Sequence, residues 1–488
     1  MRARKIRRGP ILFALAAMLI AAGVYDGSES SGQAGATGAD ALGASPAVPL
    51  ADALSTSWYC AEGTSAADGR TDETILVASI ADTRIDATIT VMPGGTAAPV
   101  SRTVHVEPRA EARERVADIL QTPEPAVVVE VVGGQAVVSH QLDANGDIGT
   151  EPCARSASSD WYFAGGTTLK GAQQFLVLFD PFGDDAIVDV TVITDDGVQE
   201  PDSLQALVVP RRSRVTIPVH DAVPRQRNVA IQVHARTGRV VGERSQLFDG
   251  TASDGEVART GIALSLGAEA PRRDWYFPNG SASDGASSVV GVANFGAMST
   301  TVEVSVVLDG EQTFATQSVA IPARSVVAVD VSSHVPAGSL YALAVVARDA
   351  EANGDPVVAE VLEWWPTASA RTGVGTTLGS TRLARRWVIA PPAGNVDGVV
   401  MVLNPGTRPV TAALLVFTAG DTKGPPSEPE RAVDAGRVAT FDLAALDAGG
   451  DHVVVVTSEH PIAVGAVYTG TDGASIAAAV PDYAYGTH

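Results

Sequence analysis

A chain of 488 residues exceeds what a single hydrophobic core sustains, so roughly three to five domains are expected. Apolar residues make up 45% and charged residues 18%, which excludes a disordered chain, and aromatics at only 5% leave Ala and Val to fill the core. The net charge is −22, yet Arg2, Arg4, Lys5, Arg7 and Arg8 crowd the first eight residues, so the remainder carries −27 and disfavours nucleic acid.

The basic stretch 2–8 runs into an apolar segment, 11–24, and then polar residues 26–31, the layout of an export signal. The segment is shorter than the roughly 20 residues of a spanning helix. Ile20-Ala21-Ala22 is the nearest approach to a cleavage site, and no Cys follows to take a lipid. Residues 1–25 therefore read as either a signal peptide or a membrane anchor helix. Residues 26–57, rich in Gly, Ala and Ser, read as a flexible linker. The expected location is extracytoplasmic, membrane-anchored or secreted.

Beyond the linker the chain repeats. Trp58-Tyr59-Cys60, Trp161-Tyr162-Phe163, Trp275-Tyr276-Phe277 and Trp387-Val388-Ile389 open four blocks, spaced 103, 114 and 112 residues apart. An apolar run ending in a turn follows each, as in Val399-Val400-Met401-Val402-Leu403-Asn404-Pro405. Alternating segments come next, such as Thr301-Val302-Glu303-Val304-Ser305-Val306-Val307, whose period of two buries one face of a strand. Val209-Pro210 and Ile321-Pro322 then set turns. Near the end of each block stand Val137, Val240, Val357 and Ile462, 79, 79, 82 and 75 residues after their Trp.

Seven or eight short strands per hundred residues predict an all-β fold of tandem Ig-like β-sandwich repeats, 58–157, 158–270, 271–383 and 384–488. They are expected as beads. A closed propeller-like ring, with two blades per repeat, is the alternative.

The order of Trp275-Tyr276-Phe277, Ile321-Pro322-Ala323, Pro356-Val357-Val358-Ala359-Glu360 and Asn404-Pro405-Gly406 resembles an uncharacterised actinobacterial family of exported proteins. The likeness spans 58–488 and implies a place in the cell envelope with no assigned activity. The last copy departs from it at Val388-Ile389. The first copy is irregular, with the charged stretch 109–115 reading as a short helix.

Cys60 and Cys153 bracket the first repeat, and an exported chain makes a disulfide their expected state, with free thiols or a metal pair as the alternatives. Residues shared by all copies are scaffold, so chemistry should appear as polar groups peculiar to one copy. Glu243 and Glu360 coincide in two copies where His140 and Gly465 stand in the others, and they read as strand-end surface charges. The eight histidines are scattered without metal-ligand spacing, and no catalytic or cofactor-binding motif is present. Asp143-Ala144-Asn145-Gly146-Asp147 alternates oxygens in the manner of a calcium loop, but Asn145-Gly146 is also a hairpin-turn signal, and the turn is preferred. The loop 420–424 imitates a phosphate loop only in composition.

Trp364-Trp365 is the one aromatic pair among the indoles. Strand alternation buries one and presents the other, for packing between repeats or, alternatively, for a ligand or partner. The expected function is a non-enzymatic envelope scaffold or protein-interaction module without cofactors, whose partner is an envelope protein or a cell-wall glycan. A glycan-binding module is the first alternative, and an enzyme with its site assembled between domains is the second.

Overall fold

The computed structural model describes residues 45–485, except 145, 254, 310–312, 349–353, 367–371, 395, 419–428, 447–451 and 471–472. The expected signal segment, the linker up to residue 44 and the loop 420–424 lie outside the described residues.

The four repeats are β-sandwiches, each of two antiparallel four-stranded sheets with small additions. Repeat three shows the plan. Its first strand, Asp274–Ser281, forms a sheet with the sixth (Leu340–Ala347), third (Thr300–Leu308) and fourth (Thr313–Ile321), in that order. The fifth (Ser325–Asp330), second (Ser287–Asn294), seventh (Val358–Trp365) and eighth (Gly373–Leu378) form the other. In repeat four the sixth and seventh strands run together as His452–Gly470, which serves both sheets. The charged stretch in repeat one is a strand, Glu111–Arg115, not a helix. It pairs with the second strand at the sheet edge, which overrides its local helical appearance.

The recurring landmarks have structural roles. The indole N–H of Trp161, Trp275 and Trp387 donates to the carbonyls of Val240, Val357 and Ile462 at 2.7, 2.9 and 3.0 Å. Those are the residues the sequence spacing singles out, so the Trp pins the first strand to the start of the seventh. Asn294 and Asn404 close the turn after the second strand, their side-chain oxygens accepting the N–H of Gly296 and Gly406. Before the fifth strand, Arg109, Arg212, Arg324 and Gly436 occupy one position with φ between 51° and 70°. This left-handed corner is where the Pro-initiated turn reverses the chain. In repeat one, Arg155 lies 4.7 Å over the Trp58 ring and the Cys60–Cys153 disulfide joins the block's ends.

The sandwiches are not separate beads. The described residues of the four repeats form one compact unit. Ala126 and Val128 of repeat one pack with Leu176 and Leu178 of repeat two. Ile193 and Ala230 of repeat two enter the core of repeat three, and Val307 and Ala342 of repeat three pack with Met401 and Leu403 of repeat four. Val453 and Val455 of repeat four return to the core of repeat one, beside Ile75 and Val77. No sheet closes on itself, but the cycle of sandwiches does. This double-sided burial explains why second strands read as unbroken apolar runs: Ala172–Asp180 alternates hardly at all.

Candidate functional site

The closed cycle brings together the four eighth strands: Asp147–Pro152, Thr260–Leu266, Gly373–Leu378 and Gly473–Ala478. Ile148, Thr150, Leu264, Val374, Thr376 and Ile476 fill the axis between them, leaving no room for a water. At the start of these strands three copies carry Gly, namely Gly261, Gly373 and Gly473, with φ of 140°, 131° and 122°. The first copy carries Asp147 instead. Its carboxylate accepts the N–H of Val374 at 2.8 Å, of Ile262 at 3.1 Å and of Ala474 at 3.3 Å, one from each other repeat. A Cβ on Gly373 would stand 2.2 Å from this carboxylate. Burial pushes the Asp147 carboxyl up to about 7, against the downward pull of these N–H donors. Asp147 thus belongs to the axis of the ring, with its oxygens committed to backbone N–H groups. Among the described residues, no group of three or more His, Cys, Asp or Glu is placed to hold a metal.

Glu243 and Glu360 are not surface charges. Both are buried, and each reaches the preceding repeat. Glu243 accepts the N–H of Ala61 at 3.0 Å and of Glu62 at 2.6 Å, while Glu360 accepts the N–H of Gly165 at 2.9 Å. In repeat four Gly465 takes the place of this Glu and lies against the backbone of Pro278 of repeat three. Proline has no N–H to donate.

Around these carboxylates lies a buried ionic network. His140 sits with Nδ1 3.3 Å from Glu73 Oε1 and Nε2 3.5 Å from Glu243 Oε2, and burial pushes both carboxyls up. Arg214 donates to the carbonyls of Ala61, Gly63 and Pro125 at 3.0, 2.7 and 2.8 Å, tying repeat two to repeat one. Arg244 of repeat two donates to Glu360 of repeat three, which also accepts from Thr376 Oγ1 at 3.2 Å. The Glu73–His140–Glu243 series has the residue types of a proton relay, but its three side chains are 0 to 1% exposed and sealed from any substrate. Sequence reading missed this network because its partners lie up to 195 residues apart. The signal available was the correspondence of Asp147 with three glycines.

Of the tryptophan pair, Trp365 is buried and its indole donates to Ser281 O at 2.8 Å. Trp364 is half-buried against the cluster of Ala172, Phe248, Ala263 and Val374, at the boundary with repeat two. One cavity opens in repeat three, about 200 Å³, between the 281–288 segment, Ser332, Val335 and Tyr341.

A family model described as a family of unknown function (DUF5719) matches residues 110–256 and 263–484. The chain belongs to that family. The match covers most of the repeat region, and its interruption, residues 257–262, takes in the approach to the eighth strand of repeat two and that strand's first residues. No curated protein matches the chain.

Proposed function

We propose that the protein is a non-enzymatic scaffold, exported by its N-terminal segment and held in the cell envelope, where its four-repeat body meets an envelope protein or a cell-wall glycan. One observation carries this reading. The ionisable groups that the four copies do not all share, Asp147, Arg214, Glu243, Arg244 and Glu360, turn inward and bond across repeat boundaries. Polar chemistry that an enzyme would aim at a substrate here fixes the repeats to one another. The result is a stiff body on the far side of a Gly/Ala/Ser-rich tether, suited to holding a surface at a distance from a membrane. The basic-then-apolar N-terminus and the disulfide fit an oxidising compartment outside the cytoplasm.

The test is fractionation of cells expressing the full chain, with external protease applied to intact cells whose outer wall has been removed. Protection from the protease together with recovery in the cytosol would overturn the proposal. Envelope recovery, protease access and an oxidised Cys60–Cys153 pair are the expected result.

A further inference from the structure

We propose that the cavity of repeat three is a binding site for a single uncharged sugar ring. This goes beyond the scaffold reading and does not depend on it. The cavity arises from features that repeat three alone possesses. Its first strand continues to Ser281, through an irregularity between Phe277 and Gly280, whereas the corresponding strand of repeat two stops at Phe163. Gly280 allows the Tyr341 ring to lie against the backbone, since a Cβ there would come within 2.3 Å of the ring. The positions matching Tyr341 in the other copies hold Pro125, Val229 and His452.

The walls are rich in hydroxyls with hydrogen bonds still to make. The Ser281 hydroxyl is buried and has no partner, and the same holds for the Ser283 oxygen at the rim, while the buried Ser288 hydroxyl meets the Tyr341 phenol. A buried hydroxyl left without a partner carries an uncompensated desolvation cost, which a bound ligand recovers. Below them, Tyr341 donates to Glu363 Oε1 at 2.5 Å, and the Trp365 indole holds the Ser281 carbonyl, so the hydroxyl wall is fixed from behind. Hydroxyls both donate and accept, and their best match is a ligand whose own groups do both. Ala282, Ala286 and Val335 line the remainder and suit the C–H face of a sugar.

Charge and size narrow the class. None of the lining residues is basic, and the exposed Asp284 stands at the mouth, so phosphate esters and uronic acids are repelled. About 200 Å³ is below the ~300–1,000 Å³ of pockets that enclose drug-sized ligands, and fits one ring rather than a chain of them.

The experiment uses the purified full chain, titrated with glucose, galactose, mannose and N-acetylglucosamine, and with glucose 6-phosphate as the anionic counterpart. Tryptophan emission and calorimetry are the readouts. At least one neutral sugar is expected to saturate at millimolar concentration and to shift the emission, with the phosphate ester about tenfold weaker or worse. Ser281→Ala should weaken binding about tenfold. The rim variant Ser283→Phe, which touches no core residue, should abolish binding with an unchanged melting temperature. Trp364→Ala should bind as the parent does. Failure of all four neutral sugars to bind would overturn the proposal, as would undiminished binding by Ser283→Phe.

Discussion

The Asp147 carboxylate accepts the Val374 backbone N–H, 227 residues further along the chain, at 2.8 Å. Because the same carboxylate takes an N–H from repeats two and four as well, one side chain of the first repeat touches every other repeat. Asp147→Gly restores the residue of the other three copies and leaves these donors buried without partners. Each orphan costs about 1–3 kcal/mol, so destabilisation of several kcal/mol is expected in denaturant titration. Formate or chloride should raise the melting temperature of this variant more than that of the parent, by filling the vacated anion position.

Titration of the same group gives stability a pH dependence. Burial holds the Asp147 carboxyl at about 7 against an ordinary 3.8, and pushes Glu73, Glu151 and Glu243 upward for the same reason. A carboxyl whose pKa is raised on folding binds its proton more tightly in the folded state. Its contribution is therefore present below the ordinary value and is lost as pH rises through the folded one. For Asp147 that window runs from 3.8 to about 7, and the whole shift corresponds to about 4 kcal/mol. Denaturant midpoints should be higher near pH 5 than near pH 8, with a shallower dependence in Asp147→Asn.

The buried pair Arg244–Glu360 joins repeats two and three. Glu360→Ala removes the counter-ion of a guanidinium that is 1% exposed and should cost about 3–5 kcal/mol. Replacing both residues by Met should be less damaging than the single change, because no uncompensated charge then remains. Chemical denaturation of the single and double variants decides this.

Cys60 and Cys153 close a loop of 93 residues. Their replacement by Ala should cost about 4 to 5 kcal/mol on the chain-entropy account. Thermal melts of the oxidised parent, the reduced parent and the double variant test this, and the reduced parent should melt with the variant.

Much of the fold was legible in the sequence because the repeats restate it: in repeats two to four the Trp and its acceptor carbonyl keep similar spacing, and the turn formers keep their place. Strand alternation likewise separated Trp365 from Trp364. Packing between repeats was not legible. The partners of Glu243 and Arg214 are backbone groups, and a backbone N–H or carbonyl leaves no mark in a sequence. Within their own strands Glu243 and Glu360 therefore read as surface charges. Within its own hairpin Asp147 reads as a turn or calcium oxygen, although its aligned counterparts are three glycines.

The N–H of Val48, just ahead of the first repeat, donates to Pro481 O near the other end at 2.9 Å, and the last short strand, Val480–Asp482, lies on the strand that carries Trp387. During synthesis the face of repeat one that receives Val453 and Val455 must wait for some three hundred residues to emerge. Until then that apolar face is open to mispairing, since contacts of such sequence separation form slowly. Premature termination within repeat four would consequently uncover the core of repeat one as well as leave repeat four incomplete, so a truncated product would be open to proteases far from the lesion as well as at it.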